Sequence, residues 1–154
     1  MFREMRRKDR ELKHEETIDI LKNHSYGILS TADGNGFPYG VPMSYVLLNS
    51  SIYFHCADQG HKLDNIWQNS KVSFCVVGNT RVLPGEFSTR YESAVLFGKA
   101  VEVFEDEKYT ALMEILKKYS PDHTVKGKEY IDKKGMAVRV IKINIEHISG
   151  KARR

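Results

Sequence analysis

Four consecutive turn-forming residues, Asp33-Gly34-Asn35-Gly36, stand between two β-friendly runs, Tyr26 to Thr31 and Phe37 to Leu48. Asp, Asn and Gly accept the backbone conformations of a tight hairpin, so this stretch reverses the chain and lays the two runs side by side as antiparallel strands. Asn49-Ser50-Ser51 is a second turn signal, and Ile52 to Ala57 reads as a third strand. Alternation along that strand sets Ile52, Phe54 and Cys56 on one face and Tyr53, His55 and Ala57 on the other. Val72 to Val77, Ser93 to Phe104 and Met136 to His147 supply three more β-rich runs, with Gly98 marking a bulge or bend.

Helical spacing is confined to insertions between these runs. Ile18 and Leu21 recur after an acidic turn in Glu15 to Asn23, and Leu63, Ile66 and Trp67 share one face of His61 to Asn69. Tyr109, Leu112, Met113 and Leu116 form a stripe in a helix capped by Asp106 and running to Lys118. Pro121 closes that region, and Asp122 to Gly135 reads as a polar loop. Six strands joined largely by hairpins, with helices inserted irregularly, predict an α+β fold of mainly antiparallel β: a barrel with flanking helices, not a parallel βαβ sheet.

At 154 residues the chain is expected to form one domain, residues 1–154, around one core. A hydrophobic fraction of 41% beside 29% charged residues argues against disorder and low complexity. The longest uncharged apolar run, Val72 to Val77, falls far short of the roughly 20 residues of a membrane-spanning helix. The N-terminus is charged where a signal peptide needs an apolar stretch, so a cytoplasmic protein without membrane contact is expected. Cys56 and Cys75 lie in apolar strand-like runs and read as reduced, buried or half-buried thiols. The formal charge of +4 is concentrated at the two ends, in Arg3, Arg6, Arg7, Lys8, Arg10, Lys151, Arg153 and Arg154. No aromatic residues interleave them and no nucleic-acid motif accompanies them, which favours solvated termini over a nucleic-acid partner.

Two segments carry chemistry. His55-Cys56-Ala57-Asp58-Gln59-Gly60-His61-Lys62 leads from a strand through a glycine turn into a helix whose first residues are His61 and Lys62. Free backbone N–H groups, the positive end of a helix dipole and a lysine suit an anion such as phosphate; a plain turn with a solvated lysine and a satisfied strand histidine is the other reading. Pro38-Tyr39-Gly40-Val41-Pro42-Met43-Ser44-Tyr45-Val46 is interrupted by two prolines and a glycine. Its remaining backbone groups and Ser44 suit the polar edge of a flat heteroaromatic ring, or the segment is an edge strand that proline protects from aggregation. The six histidines show no metal-ligand spacing, so no metal site is expected, and GxSxG, Walker and GxGxxG motifs are missing.

These stretches, with Met5-Arg6-Arg7-Lys8-Asp9-Arg10, Tyr53-Phe54-His55-Cys56-Ala57, Gly60-His61-Lys62, Lys71-Val72-Ser73-Phe74-Cys75-Val76 and the closing Ile145-Glu146-His147-Ile148-Ser149-Gly150-Lys151, together resemble the Nim-type nitroimidazole-resistance proteins. That group lies within the pyridoxamine 5′-phosphate oxidase-like flavin-binding split-barrel superfamily, and the resemblance covers nearly the whole chain. It implies a six-stranded split barrel, a homodimer, and FMN in a cleft between the subunits. On matching positions Val41, Pro42, Met43, Ser44 and Tyr45 would run along the isoalloxazine ring. His55, Cys56 and Ala57 would line the ribityl and phosphate end, and His61 and Lys62 would hold the phosphate with Asn65 within reach. Cys56 stands where relatives often carry serine, which removes a hydroxyl donor. Trp67 and the Phe87 to Tyr91 segment, with Arg90, would come from the partner subunit to cover the cofactor.

The implied activity is an FMN-dependent oxidoreductase that passes electrons to a small heteroaromatic acceptor such as a nitroimidazole. His55 is the candidate catalytic side chain, because imidazole titrates near physiological pH. A pyridoxamine phosphate oxidase-like enzyme is one alternative. Another is a non-catalytic flavin or haem carrier with His55 or His61 as an axial ligand.

Overall fold

The structure, a computed structural model, describes residues 2–154. Its seven strands are β1 (Gly27–Ala32), β2 (Pro38–Met43), β3 (Val46–Leu48), β4 (Ser51–Cys56), β5 (Lys71–Leu83), β6 (Ser88–Val103) and β7 (Arg139–Arg153). They form one sheet in the order β2-β1-β5-β6-β7-β4-β3, and every pairing is antiparallel. β2 and β3 stand at opposite ends of that order, yet only Ser44 and Tyr45 separate them in the chain. Such a link reaches about 11 Å at full extension, so the two edges of the sheet meet and the sheet rolls into a barrel.

That crossover explains why seven strands replace the six expected from the sequence. The Phe37 to Leu48 run is not one strand, because Tyr45 turns its ring into the core and the chain leaves one ladder for the other. The Tyr45 hydroxyl donates to the Leu21 carbonyl at 2.6 Å, which fixes the turn from inside. At the first hairpin the Asp33 carboxylate accepts from the Asn35 and Phe37 amides at 2.8 and 3.0 Å. Between β3 and β4, Asn49 and Ser50 both take left-handed backbone, the geometry of a two-residue hairpin.

Three strands run longer than their hydrophobic patterns suggest. β5 and β6 stay paired through a register shift to Leu83 and Ser88, well beyond Val77; the polar stretch Gly78 to Arg81 interrupts the apolar pattern and hides the continuation. β7 extends to Arg153, so the basic C-terminus expected in solvent is a ladder strand opposite Tyr91 to Ser93. The irregularity expected at Gly98 is present as a shift between Phe97 and Gly98, where any Cβ would strike the Asn144 carbonyl.

Four α-helices decorate the barrel: α1 (His14–Asn23), α2 (His61–Gln68), α3 (Glu105–Tyr119) and α4 (Thr124–Lys134). Helix α1 buries Thr17, Ile20 and Leu21. In α2 the buried face is Leu63, Asn65 and Ile66, so Trp67, expected on that face, is turned away and 52% exposed. Asp106 lies inside the first turn of α3 and does not cap it; Phe104 holds the cap position. The buried face of α3 is Ala111, Leu112 and Ile115, rotated from the expected stripe, and Tyr109 is exposed. The segment read as a polar loop contains α4, which buries no residue and therefore leaves no strong apolar stripe in the sequence.

The core has two parts on either side of β4. Inside the barrel, Ile52, Phe54 and Cys56 pack with Leu21, Leu29, Phe74, Leu96 and Ile143. Outside it, Tyr53 packs with Val46, Val103, Ala111, Leu112, Ile115 and Val140 beneath α3. No helix among the described residues is long and apolar enough to cross a membrane.

Candidate functional site

The two segments singled out in the sequence are brought together where α2 docks on the first hairpin. Helix α2 lies across the first hairpin: Asn65 donates to Thr31 at 3.0 Å, and Gln68 accepts from the Gly34 amide at 2.8 Å. This docking brings His61 onto Tyr39 of β2, ring against ring, with centroids 3.9 Å apart. On the face of β2 opposite Tyr39, Gly40 and Pro42 are exposed and lead directly to exposed Ser44. Val41 and Met43 point the other way, partly buried against the core.

The loop from β4 to α2 is held by a residue that sequence reasoning missed. Arg139 pairs with Cys56 in the ladder, donates Nε–H to the Asp58 carbonyl at 2.9 Å, and binds Glu102 at 2.8 Å. Ala57, Asp58, Gln59 and Gly60 are exposed above it. Gly60 takes φ 152, in the region that disfavours a side chain, and nothing lies within 4 Å of where a Cβ would stand. The α2 N-terminus has no side-chain cap, and its first backbone bond runs from Asp64 N–H to Gly60. The amides of His61, Lys62 and Leu63 precede that bond and have no partner within the helix. Two basic side chains and uncapped amides thus converge beside an open glycine, an arrangement that fits a phosphate group.

Cys56 points into the barrel and is buried with Ile52 and Phe54. Burial pushes its thiol pKa up, with Lys62 pulling in the opposite direction, so the side chain is a reduced core thiol and only its backbone faces the loop. A serine here would point its hydroxyl into the same core, away from the loop. The structure does not bring Asn65 to this group: it is 2% exposed and its amide is engaged by Thr31. Arg90 is also remote within one chain, paired with Arg81 near the tip of the β5–β6 hairpin at the far end of β6 from Val103.

Ser44 and Tyr45 are fixed by a clamp that no motif announced. The Tyr119 hydroxyl accepts from the Tyr45 amide at 2.8 Å and stands 2.6 Å from the Ser25 carbonyl. Lys118 Nζ donates to the Tyr45 carbonyl at 3.0 Å and sits 3.8 Å above the Tyr45 ring. Burial lowers the Lys118 pKa to about 8 and raises that of Tyr45. The end of α3 thereby sets the path of the chain through the crossover.

His55 faces outward from β4 on the side of Tyr53 and lies at the edge of a cavity of about 510 Å³ roofed by α3 and α4. Desolvation by the surrounding chain lowers its pKa and so favours the neutral imidazole. A neutral ring offers one N–H donor and one acceptor nitrogen. The cavity escaped the sequence reading because its roof, α4, read as a loop; the i, i+4 pair of Lys128 and Asp132, 3.1 Å apart, and the Lys133-Lys134-Gly135 end were its local helix signals.

No curated protein matches the chain. Among solved structures, a Bacteroides thetaiotaomicron protein assigned to 5-nitroimidazole antibiotic resistance is 23% identical with a TM-score of 0.76, the match covering 92% of this chain and 86% of that one. The FAD and heme binding protein from Mycobacterium smegmatis is 20% identical with a TM-score of 0.80, covering 92% and 72%. A conserved hypothetical protein from Mycobacterium tuberculosis is 19% identical with a TM-score of 0.81, covering 96% and 90%. At these identities the likeness is one of fold. The pyridoxamine 5′-phosphate oxidase family itself matches residues 13–152, nearly the full length, and the chain belongs to that family.

Proposed function

We propose that the protein is an FMN-dependent oxidoreductase that passes electrons to small heteroaromatic acceptors, nitroimidazoles among them. The observation that carries this reading is the convergence of the open Gly60 turn, the uncapped α2 N-terminus, His61 and Lys62 at Tyr39 of β2. Family membership and structural relatives that bind FAD or heme support a flavin-type ligand. FMN is preferred to FAD because the chain carries no adenine-binding fingerprint.

His61, Lys62 and the first α2 amides would hold the phosphate, with the backbone of Cys56 and Ala57 beside the ribityl chain. Pro42, Met43 and Ser44 would address the polar edge of the ring through backbone groups and the Ser44 hydroxyl, with Val41 and Tyr45 fixing their path. When bound, FMN supplies the redox chemistry. His55, whose neutral form desolvation favours, would donate an N–H hydrogen bond to an acceptor. The tip of the β5–β6 hairpin, where Phe87 is 96% and Val82 65% exposed, would pack on a second copy of the chain. Arg90 and Trp67 would then complete the cleft from the partner subunit.

The visible spectrum of the purified protein tests this, taken before and after FMN addition and again after dithionite, with the released pigment identified by mass. The expected result is a two-banded yellow spectrum that bleaches on reduction, with FMN released and uptake lost in Lys62→Ala. A Soret band or released FAD would replace FMN with heme or the larger flavin, and no uptake of any pigment would overturn the site.

A further inference from the structure

The cavity at α3 and α4 joins apolar walls to a basic rim. Leu112, Ile115 and Leu116 of α3 face Ile131 of α4 and Val138, giving apolar walls around about 510 Å³, the range of small-molecule pockets. Any Cβ on Gly127 of α4 would strike Leu116, so the two helices touch at that point. Polar groups are few: the hydroxyls of Ser120 and Tyr130, and side chains that are basic. Lys126, Lys134, His55 and His123 line the cavity, and no aspartate or glutamate does. Both lysines are exposed, and neither joins an ion pair among the described residues, whereas Lys128 on the same helix is held by Asp132.

Two unpaired cations over apolar walls are complementary to a small body with one negative charge. The rings of His55, His123 and Tyr130 at the lining offer edges and N–H or O–H groups to an aromatic ring. We propose that this cavity binds a small aromatic monoanion, such as an aromatic carboxylate, with its ring between α3 and α4 and its charge toward Lys126 and Lys134. Binding does not depend on a flavin; that the bound compound is the electron acceptor rests on the oxidoreductase reading, which His55 connects to this cavity.

Calorimetric titration of the protein as purified, its flavin content read from absorbance, tests the proposal with 4-nitrobenzoate and the neutral 4-nitrobenzamide as probes. The carboxylate is expected to bind about tenfold more tightly than the amide at low salt. That preference is expected to fall to about one in the Lys126→Gln/Lys134→Gln variant, whose changes lie on an exposed face and leave the packing intact. Equal affinity for the two probes, or a preference that survives the double substitution, would overturn it. So would octanoate binding as tightly as 4-nitrobenzoate, which would remove the selection for a ring, or displacement of 4-nitrobenzoate by added FMN, which would give the cavity to the cofactor. A protein that takes up no pigment yet discriminates the probes would leave this cavity standing and sink the flavin reading; a yellow protein that fails to discriminate would do the reverse.

Discussion

Helices α1 and α4 are nearly equal in length, ten and eleven residues, and differ in everything that burial decides. Helix α1 inserts Thr17, Ile20 and Leu21 among the strands, and Leu21 also offers its carbonyl to the Tyr45 hydroxyl. Helix α4 buries nothing and rests on α3 through Gly127 and Ile131, with Val125 and Tyr130 left in solvent. One helix is part of the barrel's packing, and the other is a roof over a cavity. Side chains committed to packing cannot also receive a ligand, so the weakly packed element is the one free to admit one.

The difference breaks most visibly with Leu21→Ala. Leu21 is fully buried, and truncation leaves a cavity enclosed by strands that cannot collapse onto it. The expected loss is about 3 to 5 kcal/mol, read as a lower urea midpoint. A loss under about 1 kcal/mol would mean that α1 is not the plug the packing makes it.

Tyr45→Phe comes next. It keeps the ring but leaves the Leu21 carbonyl without its 2.6 Å partner. The expected cost is about 1 to 3 kcal/mol. Because Tyr45 also fixes the path of Ser44, FMN uptake should weaken in the same variant. Full stability with weakened uptake would separate the crossover's functional role from its structural one.

The contrast between the two helices also governs what the sequence made legible. Antiparallel order, the hairpins at Asp33 and Asn49, the Gly98 irregularity and the inner face of β4 were readable, because turn chemistry and burial on one face leave local signatures. The split of the Phe37 to Leu48 run was not, since Tyr45 leaves the ladder for a partner, Leu21, that lies 24 positions earlier in the chain. Helix α4 was invisible because a helix that buries no residue has no stripe. At the site, Gly60, His61 and Lys62 stood out as a contiguous motif. Tyr39, Arg139, Lys118 and Tyr119 did not, because each acts across the fold through one long-range contact.

A smaller effect separates the two ends of α3. At its C-terminus burial lowers the Lys118 amine to about 8 from 10.5. Between those pH values the unfolded chain binds a proton that the folded protein has released, so this group's contribution to stability rises with pH across the window. Below about pH 8 the burden of the buried charge is fully present. The Tyr45 ring and carbonyl offset part of it. Urea midpoints at pH 7 and pH 9.5 for the protein and for Lys118→Met should show the protein gaining on the variant at the higher pH. Parallel shifts would mean that Lys118 keeps its proton throughout.

The smallest expected effect belongs to α4. Val125 is 76% exposed and in its first turn. Val125→Ser should change stability by no more than about 0.5 kcal/mol, the range of exposed substitutions. If α4 is a roof and not a wedge, its backbone amides should also exchange with deuterium well before those of α1, since few buried contacts must break for it to open. Adding 4-nitrobenzoate should slow exchange in α4 and leave α1 unchanged, because a ligand bound between α3 and α4 stabilises only the closed form of the roof. Equal protection in the two helices without ligand would show that α4 is held by something other than the contacts its side chains make, and the contrast between wedge and roof would fail there.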